Sequence, residues 1–70
     1  MNETKRFFLN GETYLVNQNI NLFDLLTYLN FKDSLLVLEY NNFICDKKRW
    51  KNTFIQDFDQ IEIVTIVGGG

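Results

Sequence analysis

The sequence predicts an α+β fold in which one main helix covers one face of a mixed sheet of about five strands. Two short β-prone runs joined by Asn10-Gly11 open the chain, one amphipathic helical stripe follows, and a β-branched run from Gln60 to Val67 leads into three glycines. One helix and several strands in this order bury their apolar faces against each other in two layers. A chain of 70 residues has room for one core, and a domain of this size buries only about 60% of the surface that its unfolded chain exposes.

The first element is predicted to be a β-hairpin. The runs from Lys5 to Leu9 and from Glu12 to Val16 are rich in aromatic and branched residues. An Asn-Gly pair between two such runs is the strongest short hairpin signal, because both residues tolerate a positive φ.

The helix is predicted between Asn21 and Asn30. Leucines at positions 22, 25, 26 and 29 have the i, i+3, i+4, i+7 spacing of one helical face. Asn21 is a favourable N-cap, and Asp24 at the third helical position can bond back to it. Asn30 can adopt the left-handed conformation that ends a helix. The four leucines are therefore expected to face the sheet.

The second half of the chain is predicted to supply the remaining strands. Leu35 to Tyr40 has the composition of a central strand, Asn41-Asn42 that of a turn, and Phe43 to Cys45 that of a short strand. The basic segment up to Trp50 is predicted to form one helical turn, and Gln60 to Val67 the last strand.

Alternation along the predicted strands divides their side chains between the two faces of the sheet. The residues expected to point towards the helix are Phe7, Leu9, Tyr14, Val16, Leu36, Leu38, Ile61 and Ile63. Phe8, Leu15, Val64 and Ile66 then lie on or near the other face, which is more exposed apolar surface than a solitary small domain needs. We expect this face to dock partner proteins; the alternative is that these are ordinary scattered surface residues.

Composition excludes several function classes. The net charge of −2 is unlike that of nucleic-acid-binding domains, and the longest apolar run, Leu35 to Leu38, is too short to span a bilayer. With one cysteine and no histidine, a disulfide framework, a conventional zinc site and an iron–sulfur cluster are excluded. We therefore expect no nucleic-acid partner, no membrane and no bound cofactor. Cys45 is expected to be structural, because buried cysteine behaves as a small apolar residue.

One segment departs from the acidic character of the chain. Asp46 to Lys51 carries four cations and one anion beside Trp50. A solvated turn is the simpler interpretation, and a docking patch for an acidic partner is the sharper one.

Several motifs recur together in a known family. They are Asn10-Gly11, Leu25-Leu26 with Leu29, Tyr40-Asn41, Trp50, Asp57 with Asp59, Ile61 to Val64, and Val67-Gly68-Gly69-Gly70. With them the chain resembles the ThiS family, the β-grasp sulfur carriers of thiamine biosynthesis within the ubiquitin-like fold. The resemblance implies a single β-grasp domain over 1–67, with 1–4 frayed, and a flexible functional tail over 68–70. Position 58 is usually glycine in that family, so Phe58 is expected to bring a different turn or local strain.

The resemblance also implies a reaction cycle centred on the Gly70 carboxylate. An E1-like enzyme would adenylate Gly70 with ATP, a persulfide donor of the cysteine desulfurase type would supply sulfur, and the resulting thiocarboxylate would deliver it to thiazole synthase. The carrier would have no active site of its own, bind no cofactor and be a monomer alone. Gly68 and Gly69 would thread into the partners, because residues without a Cβ pass through narrow channels and three of them extend about 10 Å.

Three alternatives stay open from the sequence. The first is a carrier of the same fold that supplies sulfur for molybdopterin or for tRNA thiolation, although such carriers usually end in two glycines. The second is a ubiquitin-like protein modifier, and the third is an interaction module with an inert tail. The absence of Ala and Pro beside nine Asn, seven Phe and six Ile residues points to AT-rich codons, and therefore to the cytoplasm of an AT-rich bacterium or to a plastid stroma.

Overall fold

A computed structural model describes residues 3–31 and 35–66 of the chain. These residues form one five-stranded sheet with a helix packed against it. The elements, in chain order, are the strands β1 (Lys5–Leu9) and β2 (Glu12–Val16), the helix α1 (Leu22–Tyr28), the strands β3 (Leu36–Tyr40) and β4 (Phe43–Ile44), the 3₁₀ helix η1 (Lys47–Asn52) and the strand β5 (Gln60–Thr65).

The sheet is mixed, which confirms the predicted fold class. Its strand order is β2-β1-β5-β3-β4. The central strand β5 runs parallel to β1 and antiparallel to β3, and the β1–β2 and β3–β4 pairs are antiparallel hairpins. The last strand of the chain therefore lies in the middle of the sheet, where it is paired on both sides.

The hairpin and the helix caps have the predicted residues. Asn10 and Gly11 take φ values of 49° and 85° in the turn between β1 and β2. Asn21 caps α1 by accepting from the Asp24 backbone N at 2.7 Å, while the Asp24 carboxylate accepts from the Asn21 backbone N at 3.2 Å. Asn30 takes the left-handed conformation, with φ 69°. The helix itself ends at Tyr28 with Leu29 as its C-cap, so Asn30 lies directly after the cap and stops the helix as predicted.

Both bounds of β1 and β2 are as predicted, as are the end of β3 and the starts of β4 and β5, and three strand bounds differ. β3 begins at Leu36, β4 ends at Ile44 and β5 ends at Thr65, while Val67 lies outside the described residues. The basic segment forms a six-residue 3₁₀ helix instead of one turn. Trp50 holds it to the domain, because the indole is buried and its Nε1 donates to the Cys45 carbonyl at 3.0 Å.

The core lies between α1 and the inner face of the sheet. Its buried members are Phe7, Leu9, Leu22, Leu25, Leu26, Leu38, Trp50, Ile55, Ile61 and Ile63. Of the inward residues predicted, Val16 and Leu36 are only partly buried, and Tyr14 is 36% exposed. Tyr14 lies on the edge strand β2, where one side of its ring stacks on Phe7 with centroids 5.6 Å apart. Across the described ranges, no helix combines the length and the apolar character that a membrane crossing requires.

Candidate functional site

The predicted reactive tail, Gly68 to Gly70, lies outside the described residues, and the structure describes the strand that leads to it. The last β3–β5 pair is Leu36 with Thr65, and the Ile66 backbone N donates to the Leu35 carbonyl at 2.7 Å. The chain is thus held in the sheet up to Ile66, four positions before Gly70.

Asn10 attaches β5 to the hairpin through three hydrogen bonds. Its backbone N donates to the Ile61 carbonyl at 2.9 Å. Its side-chain amide accepts from the Ile63 backbone N at 2.8 Å and donates to the Ile63 carbonyl at 3.3 Å. The backbone turns away at Gly11, so the Asn10 side chain replaces the next strand residue and continues the β1–β5 ladder.

A buried carboxylate fixes the other end of β5. Asp59 is 6% exposed. Its carboxylate accepts from the Gln56 backbone N at 2.7 Å, from the Asn41 side-chain amide at 3.0 Å and from the Tyr40 hydroxyl. Burial and the Asp59 carboxylate together raise the pKa of the Tyr40 phenol well above its ordinary value. Three donors on one carboxylate offset the cost of removing its charge from water.

Two further contacts complete this junction. Asn41 pairs with Gln60 twice, because its backbone N donates to the Gln60 carbonyl at 2.7 Å and its side-chain oxygen accepts from the Gln60 N at 2.8 Å. The Asp57 carboxylate accepts from the Arg6 backbone N at 2.7 Å. The Tyr40-Asn41 pair and the Asp-x-Asp motif therefore meet in space, and their role is to hold the turn into β5.

Phe58 lies at the tip of this turn. It keeps the left-handed conformation with φ 68°, and its side chain is 60% exposed. A bulky residue thus has a backbone conformation that suits glycine, so of the two outcomes expected at this position, a different turn or local strain, the structure shows local strain.

The structure separates the four predicted docking residues into two pairs. Leu15, Val64 and Ile66 are 64%, 60% and 52% exposed, whereas Phe8 is half-buried. Leu15 pairs with Arg6, the residue two before Phe8 on β1, so Phe8 and Leu15 are diagonal neighbours. Val64 and Ile66 follow further along β5. Glu62 and its partner Glu39 lie at the intervening position of the sheet, so the two apolar pairs are not continuous.

Two residues that the prediction missed join the pair nearer the tail. Val37 is opposite Val64, and Leu35, 69% exposed, is bonded to Ile66. The same alternation that directs Leu36 and Leu38 inwards directs these two outwards, so the signal was present in the sequence. We call Leu35, Val37, Val64 and Ile66 the tail-proximal patch.

Cys45 lies away from this region, beside η1. It is partly buried against the core, and its Sγ is 3.9 Å from both the Thr53 hydroxyl and the Asp46 carbonyl oxygen. Within residues 3–31 and 35–66, no three His, Cys, Asp or Glu side chains are grouped so that they could hold a metal ion.

The sheet order and the single covering helix define a β-grasp protein. The fold matches the crystal structure of the thiamine biosynthesis protein ThiS from Geobacter metallireducens with a TM-score of 0.77, at 24% sequence identity over 93% of this chain and 99% of that one. The family model of ThiS matches residues 2–70. The chain therefore belongs to the ThiS family, as its motifs indicated.

Relatives with higher sequence identity carry the name uncharacterized protein ycf40. The protein of that name from Trieres chinensis is 62% identical over 66 residues, which cover 94% of this chain and 90% of the relative. The one from Porphyra purpurea is 37% identical over 62 residues, which cover 89% of this chain and 87% of the relative.

Proposed function

We propose that this protein is the sulfur carrier of thiazole formation in thiamine biosynthesis and that the Gly70 carboxylate is its reacting group. The observation that carries the proposal is the family match, which extends through the three glycines to residue 70. The hydrogen bonds of β5 support it, because they hold the chain in the sheet up to Ile66, four positions before Gly70.

The chemistry requires little from the carrier itself. A carboxylate is ionised at neutral pH and is a poor electrophile. An E1-like partner would convert it with ATP into an acyl adenylate and release pyrophosphate. The terminal sulfur of a persulfide donor would displace AMP to form an acyl disulfide, and a thiol would then cleave the S–S bond, which leaves the thiocarboxylate and a disulfide between the donor and that thiol. Thiazole synthase would then take the sulfur. ATP is consumed by the partner, and the carrier binds no cofactor.

The two carboxylates of the Asp-x-Asp motif have structural roles. Asp59 accepts three hydrogen bonds, one of them from Tyr40, and Asp57 holds the Arg6 backbone. The carrier would not use these two groups as acids or bases; it would have no active site of its own and would present its tail to the active sites of other proteins.

The exposed face of the sheet is the proposed docking surface. Ile66 lies two positions before Gly68, so a partner that binds the tail-proximal patch would also receive Gly68, Gly69 and Gly70. Phe8 and Leu15 would provide a second contact nearer the hairpin, separated from the patch by Glu39 and Glu62. Because the activating enzyme and thiazole synthase would both need this face, they would bind in turn.

The test is the intact mass of the protein after incubation with ATP, the activating enzyme and a persulfide donor. We expect Gly70 to be the last residue and one oxygen to be replaced by sulfur. Thiazole formation by thiazole synthase, together with rescue of a thiamine auxotroph, would assign the pathway. A thiocarboxylate that serves only molybdopterin synthesis or tRNA thiolation would move the protein to a related carrier branch, and lysine-linked conjugates would identify a protein modifier.

We also propose a plastid stroma as the site of this chemistry, in preference to a bacterial cytoplasm. The ycf40 names of the relatives support the plastid, and the AT-rich residue usage agrees with it.

A further inference from the structure

The proposed carrier chemistry makes no use of the cationic segment around η1. Four of the seven Lys and Arg residues of the chain lie between positions 47 and 51. All four are exposed. With Asp46 included, this segment has a net charge of +3 in a chain of net charge −2, which leaves −5 on all other residues. The domain therefore has a pronounced charge asymmetry.

The geometry of η1 places two of these cations on one side of the helix. Residues three apart lie on the same side of a 3₁₀ helix. Lys47 shares its side with Trp50, whose ring is buried. Lys48 shares its side with Lys51, whose Nζ lies 4.7 Å from the centroid of the Phe23 ring. Burial of Trp50 fixes the orientation of the helix, so the lysines are held at the surface in a defined arrangement.

Two exposed apolar residues lie three and four positions before the first cation, Lys47. β4 is an edge strand, and its two residues, Phe43 and Ile44, are 78% and 70% exposed. A groove of about 580 Å³ lies between α1, β3 and η1, within the size range of ligand pockets. Phe23, Leu26, Leu38, Ile44, Lys47 and Trp50 are among the residues that line it.

We propose that Phe43, Ile44, Lys47, Lys48 and Lys51, here called the cationic edge, bind an acidic protein segment that carries an apolar anchor residue. The anchor enters the groove beside Ile44 and Trp50, and the carboxylates of the segment face the lysines. Charge complementarity selects this partner, because the acidic remainder of the domain repels a long polyanion such as nucleic acid or an anionic membrane surface.

The cationic edge shares no residue with the tail-proximal patch, although Leu35 and Val37 of that patch also line the groove. β3 lies between β4 and β5, so the edge strand that carries Phe43 and Ile44 is one strand away from Val64 and Ile66. The inference does not depend on sulfur transfer, because it uses only the charges and apolar residues of positions 43–51 and the groove beside them.

The experiment measures binding of a fluorescent acidic peptide, DEELFDEE, to the full chain by fluorescence anisotropy, with amide shifts mapped by NMR. We expect saturable binding that weakens with added salt, with shifts confined to residues 43–51 and the groove. Lys47→Glu with Lys48→Glu should weaken binding at least tenfold, and Ile44→Ser several-fold. The matched control, Lys5→Glu with Arg6→Glu, makes the same change of net charge on β1 and should weaken binding less than threefold.

Specific outcomes would overturn the proposal. Equal losses of affinity in the two double-charge variants would show a general charge effect. An unchanged affinity for the peptide DEEGSDEE, in which Gly-Ser replaces Leu-Phe, would show that no apolar anchor is recognised. Tighter binding of a duplex oligonucleotide or of phosphatidylglycerol vesicles at the same residues would replace the protein segment with that ligand. Circular dichroism of each variant separates lost binding from lost folding.

Discussion

At the scale of single residues, Phe58 has a backbone conformation that is unfavourable for a residue with a bulky side chain. A left-handed conformation costs a residue with a side chain about 1–2 kcal/mol. The Phe58 ring is 60% exposed, so its burial offsets little of this free energy. Phe58→Gly should therefore raise the free energy of unfolding by about 1 kcal/mol, after allowance for the greater entropy of glycine in the unfolded chain.

Urea denaturation of both proteins measures this difference. Phe43→Gly is the control, because it removes a Phe that is 78% exposed from an extended strand and should lower stability by about 0.5–1 kcal/mol. A loss of stability in both variants would mean that the Phe58 ring, and not its backbone conformation, determines the effect.

Tyr40 gives the second residue-scale prediction, a dependence of stability on pH. Burial and Asp59 raise the pKa of its phenol in the folded state, while the unfolded phenol titrates near pH 10. The folded state thus holds this proton more tightly, so the stabilisation is fully present below about pH 10 and is lost as the pH rises above it.

Tyr40→Phe should flatten the fall in stability above about pH 10. At pH 7 it should cost about 1–3 kcal/mol, because the buried Asp59 carboxylate loses one of its three donors. Tyr28→Phe is the control, since Tyr28 is 87% exposed. Urea denaturation at a series of pH values measures the stability of each protein. Parallel pH profiles for Tyr40→Phe and the unmodified protein would contradict the assignment of this pH dependence to Tyr40.

At the scale of elements, the Asn10 side chain makes hydrogen bonds to β5 that the backbone of a longer β1 would otherwise make. Asn10→Gly keeps a residue that accepts a φ of 49° and removes the two side-chain bonds to Ile63. We expect it to lower the free energy of unfolding by about 1–2 kcal/mol. Asn42→Gly, at φ 75° in the turn before β4, makes the same chemical change and should be close to neutral. Equal effects at the two sites would place the cost in glycine entropy instead of the β1–β5 junction.

Elements with local signals were predictable from the sequence, and those held by distant partners were not. The hairpin turn and the Asn21 cap depend on residues at most three positions apart, so their chemistry is visible in the sequence. The Ile63 amide bonds to a side chain 53 positions away, and Asn41 contacts Asp59 across 18 positions. The motifs marked these residues, but only the fold shows what they contact. η1 was predicted too short because burial of Trp50, and not a periodic pattern, stabilises it.

At the scale of the whole molecule, the two faces of the sheet differ in burial, and we propose that the outer face docks partners. The inner face holds the core, whereas Val64 on the outer face is 60% exposed and opposite Val37. Val64→Asp should therefore leave the fold intact and raise the KM for adenylation by the activating enzyme at least tenfold, with a smaller change in kcat. Tyr28→Asp introduces the same charge at an exposed aromatic residue on α1 and should leave KM unchanged. An unaltered KM in Val64→Asp and Ile66→Asp would remove the docking surface from the proposal.

Stability and activity should also separate along the chain. The described hydrogen bonds of β5 end at Ile66, and the glycines beyond have no side chains to bury, so deletion of Gly70 or addition of one residue after it should leave Tm nearly unchanged. Both changes displace the terminal carboxylate, the proposed reacting group, by about 3.3–3.6 Å. A misplacement of this order costs a hundredfold or more in rate even when binding is retained. Mass spectrometry after incubation with ATP and the activating enzyme should show neither adenylate nor thiocarboxylate on these variants, and a C-terminally extended protein that gains a thiocarboxylate without prior trimming would contradict the role of Gly70.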